Sequence, residues 1–223
     1  MTEIQNKITH SLFENTFTFH PLGGIYWHEL NAVLVADTHL GKSFYFNENS
    51  IPVPKQILFE QFQRLQELCS HFRTKNLYIL GDMFHHEDGI NQEFLEIFNK
   101  WQKNTSLKIT CIEGNHDRYV FKNSFPRVEF KDQLLIDDIF LLSHDLEKKH
   151  KHYFQFVGHR HPRFKLKELK TSLNLPCFWL RKNFCILPAF STFCSGTPIN
   201  KEWIKNDQAL LLLEGQHLIE IIK

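Results

Sequence analysis

Short apolar runs that end on polar or charged residues punctuate the first half of the chain. Ala32 to Ala36 and Leu77 to Leu80 are continuous apolar segments of strand length, the first as in a strand buried on both faces, and Leu107 to Ile112 reads as the next strand. The stretches between them have a helical period. In Gln56 to Phe72, the residues Leu58, Phe62, Leu65, Cys69 and Phe72 recur every three or four positions and trace one face. Asn91 predicts the N-cap of a helix running through Trp101, with Phe94, Leu95, Phe98 and Trp101 inward. Upstream, Phe17 and Phe19 alternate with Thr16, Thr18 and His20 as in a strand. Gly23-Gly24 marks a turn, and Ile25-Tyr26-Trp27 reads as the next strand. Gly41 to Pro54, with its prolines and asparagines, reads as a loop.

From about Leu134 the pattern changes to successive strands with little helix. They are Leu134 to Ile136, Ile139 to Leu142, Phe154 to Val157, Phe164 to Leu166, Cys177 to Leu180, Phe184 to Leu187, Ala209 to Leu213 and His217 to Ile222. Glu214-Gly215-Gln216 between the last two is a hairpin signal. Strand, polar residue and helix in alternation predict an α/β sheet with ligands at strand ends. No repeat, low-complexity tract or linker interrupts the chain, so residues 1–223 are expected to form one domain.

Composition changes this picture little. The 223 residues are 42% hydrophobic and 23% charged, enough to bury a real core, which most of the 22 phenylalanines are expected to fill. Five cysteines form no Cys-x-x-Cys pair and are expected to be buried free thiols in a reducing compartment. Met1 to Thr9 lacks a signal-peptide core, and the aliphatic run Leu210 to Leu213 is far too short to span a bilayer. A soluble cytoplasmic protein without a membrane partner is the expectation.

The polar residues after the apolar runs carry the chemistry. Asp37 and His39 sit two apart, and on a continuing strand both would point to one side. Blocks of the same chemical kind follow: Gly81-Asp82, Gly114-Asn115-His116-Asp117, Ser143-His144 and Gly158-His159-Arg160-His161. Such a set suits two divalent ions that together clamp a phosphate. The shared ligand should be a carboxylate, which has two oxygens to share, and Asp82 suits that task. Asn115 offers a neutral amide oxygen, and His144, His159 and His161 offer imidazoles. With two such ions against the carboxylates of Asp37 and Asp82, the centre stays positive and favours an anionic phosphoryl group. Mixed nitrogen and oxygen ligands suit Mn²⁺, Fe²⁺, Co²⁺ or Zn²⁺ better than Mg²⁺. His85 and His86, close behind Asp82, are candidates to support the ligands.

Asp37-x-His39, Gly81-Asp82, Gly114-Asn115-His116-Asp117, His144 and Gly158-His159-x-His161 resemble the five motifs of the calcineurin-like metallophosphoesterases. The resemblance implies an α/β fold of four layers, α/β/β/α, with two facing mixed sheets. It also implies one metal held by Asp37, His39, Asp82 and His161, and a second held by Asp82, Asn115, His144 and His159. His116 would act on the leaving group or transition-state charge, with Asp117 orienting it.

A narrower likeness runs over most of the chain. Tyr26-Trp27, Leu34 to Lys42, Ile51-Pro52-Val53-Pro54, Gly158 to Pro162, Pro176-Cys177-Phe178 and Leu187-Pro188-Ala189-Phe190 resemble the bacterial DNA-ligase-associated metallophosphoesterases. That likeness implies a Mn²⁺-dependent phosphodiesterase or endonuclease of DNA repair, with a DNA ligase and other repair proteins as partners. The chain departs from this pattern at Thr38, at Asp145-Leu146 after His144, and in Ser191 to Gly196.

Charge supports a DNA substrate independently. Lys148 to Lys182 holds ten Lys and Arg against the single acid Glu168, a local +9 in a chain of net +1. Arg160, Arg163, Lys165, Lys167 and Lys170 are expected to follow a DNA backbone, single-stranded by preference, with Phe164, Phe178 and Trp179 as stacking faces. The competing expectations are a phosphoesterase of a small nucleotide, dinucleoside polyphosphate or lipid-linked pyrophosphate, and a scaffold on the same fold.

Overall fold

The computed structural model describes residues 3–168, 171–199 and 209–222. The first half of the chain contributes β1 (Glu3–Gln5), β2 (Ile8–Leu12), β3 (Asn15–His20), β4 (Gly24–Trp27), β5 (Ala32–Val35), α1 (Lys42–Glu48), α2 (Gln56–His71), β6 (Asn76–Leu80), α3 (Gln92–Thr105) and β7 (Lys108–Ile112). Strands dominate thereafter: β8 (Val128–Lys131), β9 (Leu134–Ile136), β10 (Phe140–Leu142), β11 (Phe154–Val157), β12 (Pro162–Glu168), β13 (Thr171–Arg181), β14 (Phe184–Ile186), β15 (Thr197–Ile199), β16 (Ala209–Glu214) and β17 (His217–Ile222).

They form two mixed sheets. The seven-stranded sheet runs β2-β3-β4-β5-β6-β7-β8 in spatial order. It is antiparallel up to β5 and parallel from β5 to β8. The ten-stranded sheet follows the path β1-β17-β16-β13-β14-β11-β10-β9, with β12 and β15 extending it beside β13. Its parallel centre is β10-β11-β14.

Strand alternation explains why the parallel strands read as unbroken apolar runs. Val33 and Val35 face the helices, in a core shared with Leu58, Phe62, Leu65, Phe94 and Phe98. Leu34 and Ala36 face the other sheet, in a core shared with Phe140, Phe156, Phe178 and Leu211. Both faces of β5 are dry, and all of its residues are apolar. The three α-helices all contribute to the first core, on the outer face of the seven-stranded sheet. Among the described residues, the outer face of the ten-stranded sheet carries no α-helix; small clusters around Phe164 and Cys177 and around Val157 and Ile186 lie apart from the two main cores. None of the described helices is long and apolar enough to cross a membrane.

Several elements differ from the sequence expectation. The segment read as a loop from Gly41 contains α1. Phe44 anchors this helix in the core. The Asn47 side chain donates to the carbonyls of Ser43 and Val53 at 2.8 Å and accepts from Val53 N–H, tying the helix to the proline-rich strand of chain behind it. Strands β1, β2, β8 and β15 also lay outside the expectation. β15 contains Pro198 and pairs only with β12, an edge position where a missing N–H is tolerated. β12 and β13 form a longer hairpin than the apolar runs suggested, paired from Arg163↔Pro176 to Glu168↔Thr171. The helix after Asn91 is capped as expected, with Phe94 N–H donating to the Asn91 side chain at 3.0 Å, but it runs one turn further, to Thr105.

His20 at the end of β3 makes stability acid-sensitive. Its Nδ1 accepts from Leu22 N–H at 3.2 Å, which requires a neutral ring. Burial first, then the charges of His71 and Lys7, hold its pKa at about 4 against an ordinary 6.5. Between those values the unfolded chain takes up a proton that the folded chain refuses. The stabilisation is therefore complete above the unfolded value and is lost as pH falls through the window. His20→Asn retains an acceptor for Leu22. In urea unfolding at a series of pH values, the variant should lose less stability than the parent between pH 6.5 and about 4; identical slopes would disprove the assignment.

Candidate metal centre

The site is built where β5, β6, β7, β10 and β11 end, and hydrogen bonds carry the sheet's order past those ends. Asp37, His39 and Leu40 N–H donate to the carbonyls of Gly81, Asp82 and Met83 at 3.1, 2.9 and 2.8 Å. Thr38, the residue that departs from the resemblance, sits between two expected ligands. Its hydroxyl donates to Met83 O at 2.9 Å, and its carbonyl accepts from the buried Gln61 amide of α2 at 2.8 Å. The departure thus adds a tie between two site loops.

The strand geometry expected to align Asp37 with His39 ends at Val35. Asp37, His39, Asp82, His159 and His161 all have left-handed backbones, with φ of 52°, 44°, 45°, 62° and 43°. This conformation costs about 1–2 kcal/mol for an ordinary residue and is better tolerated by Asp and His. It is these turns, not the pleat, that bring the side chains together.

Three overlapping groups have ligand atoms within 4.8 Å of one another: Asp37, His39 and His161; His39, Asp82 and His116; and Asp82, His144 and His159. His39 and Asp82 each belong to two of them, and of the two only Asp82 is a carboxylate with two oxygens to share. Each carboxylate uses one oxygen to hold a backbone. Asp37 Oδ2 accepts from His159 N–H at 2.9 Å, and Asp82 Oδ1 accepts from His116 N–H at 3.0 Å. Asp82 Oδ2 lies 3.6 Å from His144 Nε2, and Asp37 Oδ2 lies 3.4 Å from His161 Nε2.

These residues fit divalent cations. Asp37 and Asp82 are buried, at 0% and 4% exposure, and neither has a Lys or Arg partner among the described residues. Asp37 Oδ1, His39 Nδ1, His144 Nδ1 and His161 Nε2 are buried without hydrogen-bond partners. Burial pushes the Asp37 carboxyl up, against the pull of His161 and His144. Burial first, then the positive charge of His161, His116, Lys42 and His85, holds His39 down at about 2, so its lone pair is free at neutral pH. His161 Nδ1 meets Ser195 O at 3.0 Å, which turns Nε2 toward Asp37. Asn115 is exposed and its amide makes no hydrogen bond among the described residues.

The remaining expected residues fall on both sides of the expectation. His116 stands at the cleft, with Nδ1 held by His85 O at 2.5 Å and Nε2 3.9 Å from Asp82 Oδ2. Asp117 does not touch that ring. Its buried carboxylate accepts from Gly114, Phe84 and Met83 N–H at 2.9, 3.0 and 3.2 Å, clamping two site loops together. The carbonyl of His85, rather than Asp117, orients His116. His86 instead caps a 3-10 turn through Asp88 N–H. Arg160 pairs with Asp145 at 3.1 Å. Arg163 and exposed Lys165 alternate on β12 with the buried Phe164, so they share its outward face, and Lys167 occupies the next position of the same register. The side chain of Lys167, and Lys170 altogether, lie outside the described residues. Phe164 and Phe178 are 4% and 0% exposed and cannot stack on a substrate. Phe178 packs edge-on against Phe19 in the inter-sheet core.

A cleft of about 240 Å³ opens over the cluster, walled also by Lys42, His85, Cys194 and Ser195. Lys42 Nζ donates to Phe193 O at 2.9 Å. Lys42 and the Phe193–Ser195 segment were visible as motif residues, but nothing in local pattern indicated that they would meet across the cleft.

Gly81, with φ of 79°, allows the closest approach in the site, because a Cβ there would enter the His144 imidazole. Gly81→Ala should fold but push His144 away. Elemental analysis of the purified variant is expected to show at least a tenfold weaker hold on its divalent metal; parental metal content would refute the role of this contact.

The sequence pattern of calcineurin-like phosphoesterases matches residues 30–183. Among solved structures, the Pseudomonas putida nuclease MPE is 27% identical, with a TM-score of 0.80 over 96% of this chain and 99% of that one. The likeness is looser to Yfce, a phosphoesterase from E. coli, at 15% identity and TM-score 0.42 over 85% of this chain and 97% of that one. It is looser too to AQ665 from Aquifex aeolicus, at 20% identity and TM-score 0.39 over 58% and 78%. No curated protein matches. With more than half of its length matched, and with the clustered Asp and His groups the chemistry needs, this chain belongs to the calcineurin-like phosphoesterases and is a metal-dependent phosphoesterase.

Proposed function

We propose that this chain is a dinuclear metal-dependent nuclease that hydrolyses phosphodiester bonds in single-stranded DNA, with a place in DNA repair beside a DNA ligase. The observation that carries this reading is the full-length likeness to the Pseudomonas putida nuclease. The resemblance to the ligase-associated subgroup supports the repair role, and with it Mn²⁺ as the metal and the cytoplasm as the compartment.

Asp37, His39, Asp82 and His161 would hold one ion, and Asp82, Asn115, His144 and His159 the other. When bound, two such ions supply a water-derived nucleophile at neutral pH and neutralise the charge of the phosphate. The chain's own groups do the rest. Burial of Asp37, His39 and Asp82 keeps bulk water from the inner side of the site. With Nδ1–H donated to His85 O, His116 keeps Nε2 toward the cleft, where the doubly protonated ring can give its Nε2 proton to the departing oxygen and keep the one on Nδ1. Lys42, at the cleft wall, adds positive charge beside the phosphate. Arg163 lies within the chain segment that follows His161, so a polymer crossing the centre would meet β12 next.

His116→Ala should keep its metal and lower turnover of DNA by about 10²–10⁴, the usual worth of a positioned proton donor. The loss should shrink on bis(p-nitrophenyl) phosphate, whose leaving group barely needs a proton. Equal losses on both substrates would assign His116 to charge stabilisation instead. No cleavage of labelled DNA by the parent, with brisk hydrolysis of small diesters, would overturn the nuclease reading.

Arg163→Gln with Lys165→Gln tests the approach of the polymer. Each lost phosphate contact should flatten the slope of log K against log[salt] by about 0.7 for single strands. Turnover of the small diester should stay at the parental level, because the metal ligands are untouched. An unchanged slope would make β12 a solvated edge.

A further inference from the structure

Phe164 and Phe178, expected to stack on bases, are buried, yet the most exposed Tyr and Phe among the described residues belong to the loop that carries His116. Tyr119 is 73% exposed and Phe121 is 71% exposed. Neither ring packs against another ring among the described residues. Both belong to the loop that begins with Gly114-Asn115-His116-Asp117, and Tyr119 closes a 3-10 turn that starts directly after His116. Tyr119 is therefore only about 6 Å along the chain axis from His116, at about 2 Å per residue.

The backbone explains the exposure. After the turn the chain extends through Val120 and Phe121, with φ and ψ of −80° and 134°, then −72° and 92°. In extended chain, alternate side chains take opposite sides. Val120 is 5% exposed and turns into the helix-side core, while Tyr119 before it and Phe121 after it are left outside that core. Phe125, 1% exposed and stacked on Phe84 at 4.3 Å, pins the far end of the loop. Asp117 pins the near end through its three backbone N–H bonds. Two exposed rings thus flank a buried residue on a loop anchored at both ends. Their Cα atoms are about 6.6 Å apart in extended chain, roughly twice the 3.4 Å rise of stacked bases, so one base fits between them.

Neighbouring charge suits an anionic strand. Arg118 is exposed and makes no ion pair among the described residues. Lys122 pairs with Glu113 at 2.6 Å and lies over the Phe130 ring, so Arg118 is the cation free to meet a phosphate.

We propose that Tyr119 and Phe121 form a base-stacking clamp for single-stranded DNA beside His116, with Arg118 on the adjoining phosphate. The clamp rests on the nuclease reading and adds its strand preference: base faces are available in a single strand but already stacked in a duplex. It also assigns the grip to bases as well as to the backbone, which the basic strand β12 alone would not.

The test uses the metal-loaded full chain as parent, the double variant Tyr119→Ala/Phe121→Ala, and the ring-keeping double variant Tyr119→Phe/Phe121→Tyr. KM for a labelled single-stranded oligonucleotide should rise about 10–100-fold in the alanine variant and stay parental in the ring-keeping one. Hydrolysis of bis(p-nitrophenyl) phosphate should be the same in all three. An oligonucleotide made abasic beside the scissile bond should lose the same affinity with the parent, and nothing further with the alanine variant. A parental KM in the alanine variant would overturn the clamp and leave the rings as a surface for a protein partner. Equal loss on the small diester would overturn it too, by showing that the loop merely supports the metal centre. If the parent hydrolyses the small diester but neither binds nor cuts any DNA, the nuclease reading falls and takes the clamp with it. A parent that cuts DNA beside an unaffected variant sinks the clamp alone.

Discussion

Two buried carboxylates with no Lys or Arg partner among the described residues are the constraint around which this structure is arranged. Asp37 and Asp82 lie at the ends of adjacent parallel strands, at 0% and 4% exposure, with imidazoles as their charged-capable neighbours. Burying an unpaired charge is costly, and a cationic ligand held between the two would offset that cost. Each carboxylate also does a second task. One oxygen of Asp37 accepts the N–H of His159, and one of Asp82 accepts the N–H of His116. The first motif thereby fixes the fifth, and the second fixes the third. The acids placed to hold metal ions also hold the loops that carry the other candidate ligands.

That dual use accounts for the backbone. A strand delivers side chains alternately to two faces, and both faces of β5 and β6 are committed to dry cores. A ligand can be presented only after the strand ends, and it must turn sharply to stay over the sheet's edge. The left-handed residues Asp37, His39, Asp82, His159 and His161 make that turn. Their strain is tolerable because Asp117, Thr38 and Gln61 over-determine the loops through buried hydrogen bonds.

Much of this was legible in the chain. Apolar runs without a polar break read as strands because each is buried on both faces, and the polar residue that follows each run had to be at an edge. The period of α2 and the cap at Asn91 were equally direct. What escaped was set by partners distant in sequence. The helix α1 depends on the Asn47 amide reaching Val53 and on Phe44 finding the core, against a local composition of prolines and asparagines. The outward or inward direction of an aromatic ring cannot be read from its neighbours. Phe164 and Phe178 sit in a basic segment and are buried, whereas Tyr119 and Phe121 follow a metal motif and are exposed. The role expected of Asp117 failed for the same reason: adjacency to His116 in sequence suggested contact, but its carboxylate turns inward to backbone N–H groups across the loop.

The division of labour follows from where rigidity is available. Chemistry needs side chains fixed to a fraction of an ångström, and the site has them on loops cross-tied by buried acids. Gripping a polymer needs reach and tolerance, because every nucleotide must pass. In the proposed nuclease, exposed groups on β12 and on the loop after His116 would supply that, from the chain segments that carry the fifth and third motifs. A centre that held its substrate only through the ions would treat a small diester and a DNA strand alike. The same two segments that deliver His161 and His116 also continue into Arg163 and Tyr119, so in the proposed nuclease selection for a strand would be coupled to the chemistry by a few residues of backbone.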